Sequence, residues 1–249
     1  MVKNDDKFSI EDAKAVIESG KKQSHINYSL LILEQCLDTY QVDEIFLSFN
    51  GGKDCTVMLH LTAALFKLRG LSPLLCLYVT DDPFPEVIQL CYIKMINVRL
   101  LINFISFQMD EFVDKATHYY DIKLIRKKKP IKSAVECLLE ENKQLKATLM
   151  GIRKDDPGSE SLEPFKTTDE GWPKIMRVSP ILDWSYSQIW EFILKHKVPY
   201  CSLYDQGYTS LGHRTTTSPN PLLRDPDNPA RYLPAYTLKD SSTERNGRQ

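Results

Sequence analysis

Neither sign of charge is in excess: 32 Lys+Arg stand against 33 Asp+Glu, a formal net charge of −1. That removes the global field with which a polyanion-binding or membrane-surface protein announces itself, so neither nucleic acid nor membrane is expected as a partner, and any anion site must be local. The six cysteines, Cys36, Cys55, Cys76, Cys91, Cys137 and Cys201, form no CxxC pair. This argues against a disulfide framework or a structural zinc and for reduced, buried thiols in a cytoplasmic protein. Met1–Lys7 has no apolar core of the kind that directs export. The most apolar long window, Leu90–Phe107, is interrupted by Lys94, Asn97, Arg99 and Asn103, which spoils it as a membrane span. No internal repeat occurs at a solenoid period.

What is present is ordinary in bulk: 249 residues, 42% hydrophobic and 26% charged, enough for a domain that buries roughly 70–75% of its unfolded surface. Ser9 with Asp12 three positions on is a helix-capping signal, with Gly20 as the stop. Ile26, Leu30, Leu33, Leu37 and Tyr40 repeat at helical spacing. Ile45–Phe49 reads as a strand, followed by a tight Asn-Gly-Gly turn and a buried helix over Cys55–Leu68. Leu74–Val79 and Ala147–Gly151 read as further strands and Ser185–His196 as a helix. Strands separated by helices predict an α/β fold: a Rossmann-like, mostly parallel sheet with helices on both faces. Five prolines between Pro219 and Pro234 predict that the last forty residues are extended rather than helical. The basic run Arg126–Lys129 reads most simply as a solvated loop.

Three clusters carry the chemistry. In the first, Ser48–Asp54, glycines bring backbone N–H groups near a ligand where a strand hands over to a helix. The helix start adds free N–H groups and the positive end of its dipole, so the site suits an anion, and Lys53 adds charge. Asp54 beside a phosphate is repulsive unless a cation lies between, and Mg²⁺ bridging carboxylate and phosphate resolves the conflict. The segment is not a Walker A loop, because Asp54 stands where Ser or Thr must follow Lys53 and the leading glycine is missing. The second cluster is Met150–Pro157, where Arg153 can fork onto phosphate oxygens and an acidic residue can share the metal with Asp54. The third is Thr167–Pro173 with Arg177 beyond, in which Trp172 is either a lid over the core or a stacking plate for a flat ligand.

The loop Ser48–Asp54 resembles the modified P-loop of the adenine-nucleotide α-hydrolase-like superfamily, and Pro199–Gly212 resembles the signature of its phosphoadenylyl-sulfate reductase branch. Within that branch Met150–Pro157, Asp169–Pro173, Ser179–Trp184 and the terminal Glu244–Arg248 together resemble the eukaryotic FAD synthetases (FMN adenylyltransferases). The resemblance covers most of Ile26–Arg248 and implies transfer of the AMP moiety of ATP to FMN, with ATP and FMN as substrates, Mg²⁺ as cofactor, flavoprotein clients and a monomer. It implies that Ser48, Asn50, Gly51, Gly52, Lys53 and Asp54 hold ATP, with Val79 and Thr80 beside the adenine and Gly151 and Arg153 beyond. Asp54 and Asp156 would frame the metal, and Asn50 would stand with them at the reacting phosphates. Asp156, Asp169, Trp172 and Arg177 would serve the flavin side, while Arg245 and Arg248 would grip the FMN phosphate. By the same resemblance residues 1–212 form the catalytic domain and 213–249 a Pro-rich extension that closes the flavin site.

Three departures stand out. Lys154-Asp155 replaces a basic residue followed by Thr, Asp81-Asp82 is unusually acidic, and Ile88–Asp110 is an insertion of apolar residues without turn signals. Such an insertion is either a surface element or a translated intron; exposed, it is an aggregation hazard. Rival activities leave fewer traces. A phosphoadenylyl-sulfate or adenylyl-sulfate reductase uses a C-terminal cysteine, whereas the last cysteine here is Cys201. A tRNA-thiolating enzyme needs catalytic cysteines and an RNA-binding face. A flavin- or nucleotide-binding regulator without turnover remains a rival, against which stand the two carboxylates Asp54 and Asp156.

Overall fold

Ser9 starts the first helix as its spacing to Asp12 predicts. In the computed structural model, which describes residues 7–71, 73–80, 96–212 and 217–248 with the backbone alone over 96–107, the Ser9 hydroxyl accepts the Asp12 N–H at 3.1 Å. The Asp12 carboxylate in turn takes the Ser9 N–H at 2.9 Å. This opens α1 (Ile10–Gly20), which is followed by α2 (Ser24–Thr39), β1 (Ile45–Ser48) and α3 (Lys53–Arg69). Gly70, left-handed at φ 62°, ends α3. The chain continues through β2 (Leu75–Val79), α4 (Ile96–Tyr120), β3 (Lys123–Lys127), α5 (Ile131–Glu141), β4 (Ala147–Met150), β5 (Phe165–Thr167), β6 (Met176–Val178) and α6 (Tyr186–Lys195). A second reciprocal cap, Ser185 with Gln188, opens α6.

The strands form one six-stranded sheet in the order β3-β2-β1-β4-β6-β5, parallel except for β5, which runs against β6. Alternate residues of β1 separate the two faces. Ile45 and Leu47 join the main core with α1, α2, α3 and α6, while Phe46 meets Leu77, Leu138, Leu145 and Ile175 under α5. Helix α3 is buried from Lys53 to Phe66 apart from Asp54, which is why its sequence is a continuous apolar run rather than a stripe. Its His60 is fully buried, bonded through Nδ1 to the Tyr120 hydroxyl at 2.8 Å, and burial, aided by His196, pulls its pKa down to about 3. His60 is therefore a neutral core residue.

The winding direction places the site. From β1 the chain steps outward to β2 and β3, then returns to lay β4 on the other side of β1. Strand order reverses between β1 and β4, and at such a switch point the carboxyl ends of the two strands open a crevice. Ser48 and Met150, the last residues of these strands, are register partners.

Some readings change. Arg126 and Lys127 are not a solvated loop but the end of edge strand β3, paired with Tyr78 and Val79 of β2. Arg126 reaches Asp114 at 2.5 Å and Lys127 reaches Glu141 at 2.6 Å; backbone pairing and local carboxylates absorb the charges that suggested a loop. Residues 88–95 of the expected insertion, like Asp81-Asp82, lie outside the described residues, and from Ile96 the chain is helical in α4. The insertion's last residues belong to the domain. The Tyr78 hydroxyl donates to Asp110 at 2.8 Å, and the Gln108 side-chain oxygen accepts from Ser202 and Gln206 at 3.0 and 3.1 Å. After α6 the described residues hold no α-helix, only short 3₁₀ turns and two isolated bridges, Thr217–Arg248 and Arg224–Tyr232. No helix among the described residues is long and apolar enough to cross a membrane.

Candidate functional site

After Ser48 the chain must turn sharply from β1 into α3. Gly51 supplies φ +75°, and the Asn50 side-chain oxygen accepts the Gly52 N–H at 2.9 Å, locking the turn. Gly52 caps α3 with no side chain of its own, and with its N–H held by Asn50 the next donor, the Lys53 N–H, goes to the Tyr204 hydroxyl at 2.7 Å. On the facing strand Gly151 is indispensable. A Cβ there would lie 2.6 Å from both the N and Cα of Cys55, so any side chain would push the end of β4 off the first turn of α3.

Three distant segments meet here in one cavity of about 660 Å³. Ser48, Asn50, Gly52, Lys53 and Asp54 come from the first loop, Met150, Gly151 and Asp156 from the second, and Glu244, Arg245 and Arg248 from the C-terminal tail. Leu77 and Val79 of β2 add an apolar wall. The cavity thus gathers most of the residues expected at the nucleotide and the FMN phosphate. Gly51 and Thr80 do not line it: Gly51 shapes the turn, and the Thr80 N–H extends the sheet to Lys127 O at 3.0 Å.

The electrostatics are self-compensating. Lys53 and Arg153 are each 1% exposed. Lys53 Nζ lies 2.5 Å from Glu244 and 3.0 Å from Asp54, while Arg153 meets Glu244 at 2.6 Å and Asp54 at 2.8 Å. Two cations and two carboxylates alternate in a closed ring. Burial by itself would raise the Asp54 pKa, but Lys53 and Arg153 outweigh it and hold the carboxyl below its usual range. Burial likewise works against the Arg153 charge, and Asp54 and Glu244 reverse the direction, raising its pKa. Lys53 lines the cavity but its ammonium is spent on these carboxylates, and Arg153 does not line the cavity at all. Asp155, the extra acidic residue, is largely exposed and 3.8 Å from the outer edge of Arg153.

Asp156 ties the second loop to the tail. Its carboxylate accepts the Arg153 N–H at 3.0 Å and an Arg245 guanidinium N–H at 2.5 Å. Arg248 donates to Leu211 O at 2.8 Å, while its buried Nε has no hydrogen-bond partner. Burial, and after it Arg245, lowers the Arg248 pKa, as befits two guanidiniums held together for an anion.

Among the described residues no three His, Cys, Asp or Glu side chains form a metal cage. Mg²⁺ does not require one, because it is commonly held by one or two carboxylates with substrate phosphates and waters completing the shell. Asp54 and Asp156 both line the cavity and supply the two carboxylates such a site uses, with Lys53, Arg153 and Arg245 now engaging their oxygens where a metal would take over.

Asp169, Trp172 and Arg177 lie outside this cavity. They belong to the β5–β6 hairpin, whose turn is set by Gly171 at φ +81° and a Thr168 hydroxyl donating to Pro173 O at 2.7 Å. Arg177 holds Asp169 through two bonds, 3.0 and 3.1 Å. Trp172 is 40% exposed, so it is no lid over the core; its ring borders a separate groove beside Glu136, Leu139 and Glu140 of α5. Several cavity residues have no role assigned by the sequence; Tyr204 and Glu244, both inside motifs of the resemblance, matter most to its geometry. Glu244 carried one signal, an acidic residue directly before the arginine pair.

The phosphoadenosine phosphosulfate reductase domain family matches residues 44–219. The chain is 42% identical over 228 residues to a "Probable FAD synthase" of Schizosaccharomyces pombe, covering 91% of this chain and 79% of that one. It is 37% identical to a "Probable FAD synthase" of Caenorhabditis briggsae, covering 87% of this chain but 38% of that longer protein. Among solved structures it resembles Candida glabrata FMN adenylyltransferase in complex with FMN and the ATP analog AMPCPP, at a TM-score of 0.78 and 25% identity over 96% of this chain and 98% of that one.

Proposed function

The chain belongs to the phosphoadenosine phosphosulfate reductase domain family and, within it, to the FAD synthases, and from that premise we propose that it transfers the AMP moiety of ATP to FMN, releasing pyrophosphate and forming FAD. The observation that carries the reading is the convergence of the α3 N-terminus with Asp54, Asp156, Arg245 and Arg248 on one cavity: a nucleotide site and a second phosphate site share a wall.

In the reaction an FMN phosphate oxygen attacks the α-phosphorus of ATP; the new P–O bond forms as the bond to the β-phosphate bridging oxygen breaks. A phosphate monoester is largely ionised near neutral pH, so no general base is called for. The first turn of α3 directs its positive end to the ATP phosphates, Val79 on the cavity surface, with Thr80 next to it, stands on the adenine side with Gly151 beyond, and Arg245 with Arg248 orients the attacking phosphate. Asp54 and Asp156 would hold Mg²⁺, which supplies charge neutralisation at the α-phosphate and the leaving group. Asp169, Trp172 and Arg177 lie on the hairpin outside the cavity, and their assignment to the flavin ring rests on the family resemblance. The five described cysteines are free thiols, which supports the cytoplasm, where the chain would act as a monomer and flavoprotein clients receive the product.

The two described cysteines at or near the cavity, Cys55 and Cys201, are poor nucleophiles for reductase chemistry. Burial pushes the Cys201 thiol up to about 11, and it lies off the cavity; burial pushes Cys55, which borders the cavity, up to about 12. Incubation with FMN, ATP and Mg²⁺, followed by chromatographic separation of the flavins, tests the proposal. FAD and pyrophosphate in equal amounts are expected, with neither formed when a chelator removes the metal. FMN bound but never converted would favour the regulator without turnover.

A further inference from the structure

Glu244 sits in the C-terminal tail, yet its carboxylate lies at the centre of the buried charge ring. It bonds both Lys53, at 2.5 Å, and Arg153, at 2.6 Å, and its side chain is 8% exposed. Lys53 divides its ammonium between Asp54 and Glu244, Arg153 lies off the cavity although its buried Nη1 has no hydrogen-bond partner, and the anion-binding charge at the cavity surface falls to Arg245 and Arg248, one and four residues further along. Among the described residues the tail backbone is fastened to Thr209, Ser218 and Asn220: Thr209 Oγ1 donates to Glu244 O at 2.6 Å, Asn220 to Thr243 O at 2.9 Å and the Ser218 N–H to Gly247 O at 2.7 Å. Towards the two phosphate loops the ties are the Glu244 carboxylate and the Arg245–Asp156 pair, and the second is itself a contact that FMN phosphate would compete for.

We propose that Glu244 is a positioning residue that locks the tail onto the nucleotide loops through Lys53 and Arg153, and thereby sets where Arg245 and Arg248 stand to receive the FMN phosphate. Lys53 and Arg153 act as the seat of the tail rather than as phosphate contacts. The proposal rests on the adenylyl-transfer reading for the identity of the phosphate, but the lock itself is a statement about the tail.

The test uses Glu244→Gln in the full chain. FMN affinity is read from quenching of flavin fluorescence without ATP, and tail seating from the rate of tryptic cleavage after Arg245 and Arg248. Glu244→Gln leaves the buried cations in excess, so a second variant, Glu244→Gln combined with Lys53→Met, restores the balance of Arg153 against Asp54 while still removing the lock. In both variants FMN affinity falls about tenfold or more and the tail is cut faster than in the parent. A folded double variant with a parental cleavage rate and parental FMN affinity overturns the proposal. So does a loss confined to kcat with FMN affinity unchanged, which would make Glu244 a group at the reacting atoms. Cleavage is read without turnover: a parent protein that makes no FAD, but whose tail is released by these variants, refutes the activity and leaves the lock standing.

Discussion

Asp54→Asn lowers turnover by about 10²–10³-fold while FMN affinity stays within about threefold. The argument is positional. Asp54 stands in the first turn of α3 and lines the cavity, at the position proposed for the nucleotide phosphates rather than for the flavin. Its carboxyl is held ionised because Lys53 and Arg153 outweigh the effect of burial, so at neutral pH it presents negative charge to a metal-bound triphosphate. Asparagine keeps the shape and loses the charge needed at the reacting centre, a change felt in the transition state more than in FMN binding. The same substitution leaves two buried cations facing Glu244 alone, so a stability loss of about 3–5 kcal/mol accompanies it and a thermal melt must show that the variant is folded. The folded Asp54 pKa lies below the unfolded one, so its pairing stabilises the protein above the ordinary value of 3.8. That contribution is lost as pH falls through the lower folded value. Equal losses of turnover and FMN affinity would contradict the assignment.

Arg245→Ala combined with Arg248→Ala has the opposite profile: FMN affinity falls about 10²-fold or more, and ATP affinity stays within about twofold. Hydrogen bonds to charged groups contribute about 1.5–3 kcal/mol each, and two guanidiniums on one dianionic phosphate account for the fold-change. The buried Nε of Arg248 has no hydrogen-bond partner and is a donor that a phosphate oxygen would take. Arg245 now rests on Asp156 at 2.5 Å, so its loss also frees that carboxylate. Fluorescence quenching for FMN and calorimetry for ATP separate the two affinities. Unchanged FMN affinity would take the tail out of the site.

The parts legible in the sequence were those governed by local rules. Ser9 with Asp12 signalled a cap, the Asn50–Gly52 turn between an apolar strand and an apolar helix signalled a ligand loop, and proline crowding signalled a tail without α-helix. The β1/β4 crevice followed once parallel strands were inferred, because the loops after both strands carried chemistry. Elements α4, α5 and β3 went unread for different reasons. In β3 the basic residues of an edge strand resemble a loop, and their partners Asp114 and Glu141 lie in other elements. Strands β5 and β6 have three residues each, too few for an alternating pattern. The charge ring was out of reach for a more general reason. Lys53 beside two glycines and Arg153 beside acidic residues look like phosphate contacts, and only the tertiary return of Glu244, 191 residues after Lys53, shows that both charges are already engaged. Read alone, the tail arginines look like a frayed polar end; only the family resemblance assigns them to the FMN phosphate, both line the cavity, and nothing in the sequence hints at what seats them.

The central claim is a single displacement: both substrates lie in one cavity and AMP passes directly from ATP to FMN without visiting a side chain. The measurement that tests it most directly starts from ATP carrying sulfur at a stereochemically defined α-phosphorus, with FMN as acceptor. One in-line attack inverts the configuration at that phosphorus in the FAD analogue formed. Retention would mean two displacements through an enzyme-bound adenylate and would contradict the account.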